Sequence, residues 1–348
     1  MTRPTALRTL ALAVAAALTV ALTGCGDGPR AGTGADTSDA SPELRKLIDA
    51  AKKEGALTWY SVPAENAAKA ASDAFSKRYG IPVKYIRLTS GDLSQRYAAE
   101  AETGKPAADL FLQSYTPFIG QAAEKGWTTK LPDAQIPGYG EGYPAEYLFP
   151  KEGTAVVQIQ PSGLAVNTTK TNGVTIKDWP DVLDPKLKGQ IILVDPRTSA
   201  AYIPFWNVII KEYGEDFLTK LKAQNPRLGA SSAPATQSLA AGEAAVVFPG
   251  VQTIVEDLKS KGAPLAYAQP GATTGPEVVV GLSAKAANPN AARLFVHFLM
   301  SAEGNRALNS VPGSYSPLEK SSLPGRYTFN KDAGTVPKEK IYSLLGLG

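Results

Sequence analysis

Serine and threonine side chains recur where the sequence changes from a predicted strand or loop to a predicted helix. The start of a helix leaves backbone N–H groups without intrahelical acceptors and carries about half a positive charge. Several such starts that met at one cleft would bind a phosphate, phosphonate, sulfonate or carboxylate group. The alternative is that each hydroxyl only caps its own helix, which contributes about 1 kcal/mol. The hydroxyl residues concerned are Ser61, Thr89, Ser90, Thr198, Ser199, Ser231 and Ser232.

Arg197 is the candidate for a charged ligand contact. It follows the predicted strand Gln190–Val194 and the dipeptide Asp195-Pro196. A guanidinium at such a strand end would donate two parallel hydrogen bonds to a carboxylate or a phosphate. The alternative, which the sequence leaves open, is an ion pair with Asp195 or with another surface carboxylate.

Aromatic, amide and small side chains near other predicted strand ends are candidate cleft walls. Tyrosines there would supply apolar surface, although aromatic residues also fill cores. The amide, serine and proline side chains are well placed, but their chemistry does not specify a ligand. The candidate wall residues are Tyr60, Gln113, Ser114, Tyr115, Tyr202 and Pro249.

The chain has one cysteine, Cys25, and one histidine, His297, which excludes a disulfide framework and a Cys/His zinc site. His297 lies in an apolar helical run, so no Cys-His or Ser-His-Asp arrangement can be assembled. A phosphate-binding P-loop and a dinucleotide-binding glycine motif are both missing. We therefore expect a protein that is not an enzyme and that has no cofactor and no metal. A hydrolase that uses only carboxylates, such as Asp92, Asp109 or Glu243, remains open.

Residues 1–24 are predicted to be an export signal. Two arginines precede the apolar run Leu10–Leu22, whose length of about thirteen residues falls short of the roughly 20 that a membrane span needs. The run leads into Leu22-Thr23-Gly24-Cys25, which resembles the bacterial lipobox. That resemblance implies a lipid on Cys25 and a protein anchored to the outer face of the cell membrane. The alternative is an ordinary secretory signal that ends near a cysteine.

The composition indicates a globular protein that does not bind nucleic acid. The 348 residues are 43% hydrophobic and 20% charged, and loss of the two signal arginines lowers the formal charge from +4 to +2. No concentrated basic patch of the kind that contacts phosphate backbones is present. Residues 25–40 lack large apolar side chains after Cys25, so we expect a flexible linker there.

From residue 41 onward, predicted strands and helices alternate. Three strand–helix units in succession, beginning with the strand Ala56–Tyr60, predict a parallel sheet covered on both faces. The Pro- and Gly-rich loop Leu131–Pro150 separates them from a second set of α/β elements, which extends to Ala268. The strand Glu277–Leu282 and two helices then close the chain. The pattern is that of an α/β protein with two lobes.

Specific segments support this interpretation. They are Glu54–Ser61, Phe75–Ile81, Ser90–Leu93, Gly104–Phe111, Ser162–Thr168, Asp195–Ser199 and Asn288–Phe295. In this order they resemble the ferric-iron branch of ABC-importer solute-binding proteins. The resemblance implies a type II periplasmic-binding fold, in which each lobe is a mostly parallel sheet flanked by helices and two crossover strands form a hinge. Lobe 1 would comprise residues 41–162 and 280–348, and lobe 2 residues 163–279.

The sequence departs from that branch at its metal ligands. In the family, ferric binding is carried largely by two adjacent tyrosines that follow a strand of the second lobe. Here the strand Ala244–Phe248 is followed by Pro249-Gly250-Val251, so the tyrosine pair is missing. Because Fe(III) prefers phenolate and carboxylate oxygens, we expect an anion rather than bare iron. Ferric iron or a ferric chelate is the alternative within the family.

The sequence therefore predicts the extracytoplasmic, lipid-anchored solute-binding component of an ABC importer. A monomer would close its two lobes over a small anionic solute, such as a phosphate ester, phosphonate, sulfonate or carboxylate. It would then deliver the solute to a permease and its ATPase. The alternatives of another class are an extracellular hydrolase on the same fold and an adhesion or signalling lipoprotein that has lost transport.

Overall fold

The computed structural model describes residues 40–319 and 322–348. The predicted export signal, Cys25 and all but the last residue of the predicted linker lie outside the described residues. Within this part of the chain, every helix is too short or too polar to span a bilayer.

The described residues form α-helices and β-strands in alternation, together with short 3₁₀ turns. The helices are α1 (Pro42–Glu54), α2 (Glu65–Tyr79), α3 (Ser90–Glu102), α4 (Pro117–Glu124), α5 (Ile203–Tyr213), α6 (Glu215–Ala223), α7 (Ser232–Ala240), α8 (Gln252–Ser260), α9 (Pro289–Met300), α10 (Ala302–Leu308) and α11 (Lys338–Leu345). The strands are β1 (Leu57–Ser61), β2 (Val83–Arg87), β3 (Leu110–Ser114), β4 (Thr128–Thr129), β5 (Leu148–Phe149), β6 (Thr154–Ile159), β7 (Ser162–Asn167), β8 (Ile191–Val194), β9 (Arg227–Gly229), β10 (Val246–Val251), β11 (Leu265–Ala268), β12 (Ala272–Thr273), β13 (Glu277–Ser283) and β14 (Arg326–Tyr327).

Helix α1 shows how local sequence rules set these elements. The Ser41 hydroxyl accepts the Leu44 N–H at 3.2 Å, and Pro42 occupies the first turn, where its missing N–H costs nothing. Gly55 ends the helix in the left-handed conformation, with φ of 76°, which a glycine adopts without steric strain. Leu47, Ile48 and Ala51 recur at helical spacing and are buried against the first sheet's core.

The first sheet has the strand order β2-β1-β3-β13-β6-β5, and β4 pairs with β13. Strand β1 is parallel to β2 and β3, whereas β13 is antiparallel to β3 and β6. Helices cover both faces. Ala71, Phe75 and Phe295, from α2 and α9, lie in the core on one face, and Tyr97 and Phe118, from α3 and α4, lie in the core on the other.

The second sheet has the order β11-β7-β10-β8-β9. Strands β10, β8 and β9 are parallel, and β7 is antiparallel to β10 and β11. An aromatic core of Trp179, Phe205 and Phe248 fills one face, and Leu239 and Val255, from α7 and α8, lie in the core on the other. Two sheets with separate cores and helices on both faces confirm the predicted α/β class.

Each sheet is mixed in strand direction. The parallel strands of each sheet are those that helices connect, as the alternating pattern predicts. The antiparallel strands β7 and β13 enter their sheets directly from the neighbourhood of the other sheet, without a crossover helix, and so reverse direction. The expectation of mostly parallel sheets therefore holds only for these helix-connected strands.

The described residues show three places at which the chain passes between the two sheets. It passes from β6 to β7 at residues 160–161 and returns to β13 at residues 274–276. The third passage, which the sequence analysis missed, begins near Tyr315, which pairs with Ile159, and ends with α11. Residues 338–345, assigned from sequence to the first lobe, pack on the aromatic core of the second sheet. The sequence analysis ended the chain with two helices after Glu277–Leu282 and did not predict α11.

The position of α11 can be tested at Ile341, whose side chain is fully buried. Ile341→Ala is expected to lower the free energy of unfolding by about 2–5 kcal/mol, because it leaves a cavity in the second core. Ser343→Ala, on the exposed side of the same helix, should change it by less than about 0.5 kcal/mol. Urea unfolding measures both. Equal and small effects would show that α11 does not pack as described.

Candidate functional site

A cavity of about 110 Å³ lies where elements of the first sheet face elements of the second. Its walls come from both sides and from the passages between the sheets. The hydroxyl and wall residues predicted from sequence that line it are Thr89, Ser90, Ser114, Thr198, Ser199, Tyr202, Ser231, Ser232 and Pro249. The structure thus brings together residues that are far apart in the chain, because strands of both sheets end at this cavity.

Helices α2 and α3 of the first sheet, and α7 and α8 of the second, begin at the cavity. Thr89 caps α3, because its hydroxyl accepts the Asp92 N–H at 3.2 Å. Ser231 precedes α7 but makes no side-chain capping bond to it. Its hydroxyl is therefore available to the cavity, as are the first N–H groups of these helices. The positive ends of the helix dipoles make the cavity favourable for negative charge.

The other hydroxyls combine local bonding with their place in the wall. Ser90 Oγ donates to Ser114 Oγ at 2.9 Å and so connects the start of α3 to the end of β3. Thr198 Oγ1 donates to the Asp195 carbonyl at 2.8 Å, and Ser199 Oγ accepts the Ala201 N–H at 3.2 Å. These bonds hold the hydroxyls in place and leave lone pairs or protons for a ligand.

The two sides touch at Gly91. A Cβ built on Gly91 would lie 2.9 Å from the Thr198 carbonyl oxygen, so only glycine allows this approach. The contact joins the first turn of α3 to the 3₁₀ turn Pro196–Thr198 of the second side. The cavity is therefore closed at this edge.

Tyr202 and Thr253 are the deeper polar groups of the wall. Burial raises the pKa of Tyr202, and hydrogen bonding to Ser232 opposes part of the rise, so the phenol stays protonated at neutral pH. Thr253 is 1% exposed, and its Oγ1 has no hydrogen-bond partner among the described residues. A buried hydroxyl without a partner costs free energy, which a polar ligand atom would recover.

Arg87, at the end of β2, is the charged side chain of the cavity, and sequence analysis did not propose it as a ligand contact. It is half-buried and makes no hydrogen bond or ion pair with any described residue. Burial lowers its pKa and the Glu65 carboxylate opposes this, but a guanidinium stays protonated at physiological pH. None of the described residues that line the cavity is an Asp, Glu, His or Cys.

Arg87 also lines a neighbouring cleft, together with Glu65 and Asp257. The sequence feature that could have indicated Arg87 is its place at the end of a strand, just before Leu88 and the Thr89-Ser90 pair. A charged residue at the end of a strand is as typical of a solvent-exposed sheet edge as of a ligand contact, so the sequence does not distinguish these two roles.

The structure places Arg197 outside the cavity. Its guanidinium donates to the Asp195 carboxylate at 2.7 and 2.9 Å and to the Leu347 carbonyl at 2.9 Å, and the side chain is exposed. The ion-pair alternative is therefore the observed one. The pair forms because Asp195 lies only two residues before Arg197, at the start of the same 3₁₀ turn, within reach of the guanidinium.

Tyr60 and Ser61 also lie outside the cavity. The Tyr60 hydroxyl donates to the Glu100 carboxylate at 2.7 Å, and the ring is fully buried beneath α3. Ser61 Oγ donates to the Pro63 carbonyl at 3.2 Å in the turn after β1. Both residues are therefore part of the packing of the first sheet.

Gln113 and Tyr115 flank the cavity residue Ser114 but do not line the cavity themselves. Gln113 Nε2 donates to the Ser90 carbonyl at 3.0 Å and to Ser94 Oγ at 2.6 Å, which supports α3 from beneath. Tyr115 contributes to a separate groove of about 620 Å³ and packs on Phe149, with ring centroids 4.7 Å apart. Successive residues along a strand point to opposite faces, which separates these side chains from Ser114.

Metal ligands are not clustered in the described part of the chain. No group of three or more His, Cys, Asp or Glu side chains there is placed to hold a metal ion. His297, in α9, is half-buried beside the Pro137 carbonyl, 2.9 Å from its Nδ1.

Two helix-flanked sheets with a polar cavity between them define a two-lobed α/β binding protein. Residues 59–306 match the model of the bacterial extracellular solute-binding protein family. The chain belongs to that family, which confirms the resemblance to solute-binding proteins. A curated relative, an uncharacterized protein of Haemophilus influenzae, is 26% identical over 263 residues, or 73% of this chain and 75% of the relative.

Solved structures share the fold at low sequence identity. The binding protein AfuA of Actinobacillus pleuropneumoniae, with fructose-6-phosphate bound, has a TM-score of 0.63 and 22% identity, covering 84% of this chain and 97% of AfuA. Iron-bound HitA of Pseudomonas aeruginosa has a TM-score of 0.61 and 23% identity, covering 84% of this chain and 97% of HitA. The sulfate-binding protein SubI of Mycobacterium tuberculosis has a TM-score of 0.61 and 19% identity, covering 80% of this chain and 96% of SubI. The neighbours confirm the type II binding-protein fold, and their ligands differ.

The closed edge at Gly91 yields a test that needs no ligand. Gly91→Ala is expected to separate the start of α3 from residues 196–198, because the added methyl would meet a backbone carbonyl. Amide hydrogen exchange in both segments should become faster. Gly120→Ala is the control, since a Cβ there has no heavy atom within 4 Å. Unchanged exchange in Gly91→Ala would show that the two sides do not touch there in solution.

Proposed function

We propose that this protein is the solute-binding component of an ABC importer and that its solute is a small anion. The observation that carries the proposal is the guanidinium of Arg87, which lines a cavity whose other described lining residues include no carboxylate. The Glu65 carboxylate acts on Arg87 from the neighbouring cleft and forms no ion pair with it. A charge removed from water without a partner is costly, and an anionic group beside it offsets that cost. The helix starts and hydroxyls around Arg87 supply further donors for such a group.

Binding follows from closure of one lobe on the other. The lobe boundaries predicted from sequence are retained, with the exception that α11 moves with the second lobe. An anion in the cavity would contact Arg87 and the start of α3 from the first lobe, and Ser231, Ser232 and the start of α7 from the second. Because these groups surround one point only when the lobes are together, the solute favours the closed form by its higher affinity for it. The permease would recognise the closed protein.

Bare ferric iron fits the cavity less well. Tyr202 is the one phenol among its described lining residues, carboxylates are missing from them, and Arg87 would repel a cation. A ferric chelate with net negative charge would escape that repulsion and is therefore the second candidate. The lining residues also lack an acid, base or nucleophile pair, which supports a binding protein over a hydrolase.

The solute class is tested by a thermal-shift and calorimetric screen of the purified protein. The probes are inorganic phosphate, sulfate, fructose 6-phosphate, an alkylphosphonate, an alkylsulfonate, a dicarboxylate, ferric citrate and Fe(III). At least one anion is expected to raise Tm and bind with a one-to-one stoichiometry. Stabilisation by Fe(III) alone, or turnover of a probe, would contradict the proposal.

Arg87 and Arg197 form a matched pair of arginine variants. Arg87→Met is expected to weaken binding of the best anion by about 10- to 100-fold, since it removes one or two charge-assisted hydrogen bonds. Arg197→Met should leave the affinity within about twofold, because Arg197 lies outside the cavity. Calorimetric titration measures both dissociation constants. Equal effects of the two substitutions would remove Arg87 from the site.

We further propose that the protein is monomeric and anchored to the outer face of the membrane through a lipid on Cys25. The basis is the lipobox-like segment of residues 22–25. Cys25→Ser is expected to release the protein from the membrane fraction and to abolish incorporation of a labelled fatty acid. Retention of the label by Cys25→Ser would contradict the assignment.

A further inference from the structure

Glu277 is a buried carboxyl group at the start of β13, where the chain returns to the first sheet. Glu277 is 3% exposed, and its carboxyl group makes no ion pair with a described residue. The carboxylate accepts the Asn330 N–H at 2.7 Å, and the Tyr327 hydroxyl lies 3.5 Å from the same oxygen. The acid thus fastens residues 326–332, which we call the strap, to β13.

Asn330 is held from two directions. Its backbone N–H donates to Glu277, and its side-chain oxygen accepts the Thr274 hydroxyl at 2.9 Å. Asn330 lines the cavity, as do Gly275 and Pro276, the two residues that precede Glu277. A buried carboxyl group therefore lies directly behind the part of the cavity wall that Asn330, Gly275 and Pro276 form.

The groups around Glu277 leave its charge finely balanced. Burial raises its pKa to about 7, although the Asn330 N–H, the Tyr327 hydroxyl and Lys331 each oppose the rise. Asp332 adds to it by repulsion. Tyr115 and Tyr147 also face Glu277, and its charge contributes to raising the pKa of both. The neutral and ionised forms are therefore both accessible near neutral pH.

We propose that Glu277 is the residue that couples anion affinity to protonation: it positions Asn330 against the cavity and, when ionised, places a negative charge behind that wall. The proposal rests on the anionic solute proposed above. An ionised Glu277 places a negative charge directly behind Asn330 of the cavity wall, whereas a neutral Glu277 does not. An anion binds better to the neutral form, so its affinity falls as pH rises, by at most about tenfold per pH unit for one proton.

Calorimetric titration with sulfate tests the coupling, because the charge of sulfate is constant between about pH 5.5 and 8.5. Over this range the dissociation constant of the wild type is expected to rise by about 3- to 30-fold. Glu277→Gln should bind sulfate independently of pH, with the affinity of the wild type at low pH. Glu243→Gln, which removes an exposed carboxylate paired with Arg227, should behave as the wild type. A pH-independent wild type, or a pH dependence that persists in Glu277→Gln, would overturn the proposal.

A second measurement needs no ligand. In the ¹⁵N-labelled protein, the amide resonance of Asn330 is expected to shift with a midpoint near pH 7, because its acceptor changes charge. The shift should vanish in Glu277→Gln and persist in Glu243→Gln. An Asn330 amide that does not titrate in the wild type would overturn the positioning role. If Asn330 titrates but no anion in the screen binds, the anionic solute is wrong and the selectivity role falls with it, while the contact itself stands.

Discussion

The character of the site depends on the guanidinium of Arg87, which is the charged group among the described residues that line the cavity. A half-buried arginine is usually matched by a carboxylate, and the cavity's described residues offer none. The surrounding helix starts are positive as well, so they add to the demand for negative charge. Separate apolar cores stabilise the two sheets on either side of a cavity whose described lining residues include an arginine and no carboxylate.

The cavity lies between two sheets that each have apolar cores of their own. Each sheet buries one core on each of its faces. The passages near residues 160 and 275 are strand-like and short, which suits a hinge. The third passage differs, because the strap pairs β14 with β12 and lies against Glu277 beside the hinge. Gln160, Gly275 and Asn330 therefore belong both to the passages between the sheets and to the cavity wall.

Position along the chain led the sequence analysis to Ser90, Thr198 and Ser231. Ser90 and Ser231 lie at helix starts, Thr198 ends a 3₁₀ turn, and all three line the cavity because strands of both sheets end there. The sequence left the partner of Arg197 open, and the structure pairs it with Asp195, two residues away. Sequence position likewise did not show that Arg87 lines the cavity. The strap was also beyond prediction: the Glu277–Asn330 bond joins residues 53 positions apart, and no periodic pattern encodes so isolated a contact.

Proteins of this fold bind a sugar phosphate in AfuA, iron in HitA and sulfate in SubI, so the fold does not select the ligand. Selection rests on single positions at the strand ends. After Phe248, where the resemblance to the ferric branch would place tyrosines, this chain has Pro249-Gly250-Val251. A Cβ on Gly250 would lie 2.5 Å from the Ala165 backbone nitrogen, so β7 leaves no room for a side chain there. The packing of the second sheet therefore excludes a tyrosine at position 250, because β7 would have to move to make room for it. The loss of the ferric ligands and the unpaired Arg87 consequently favour the same class of solute for independent physical reasons.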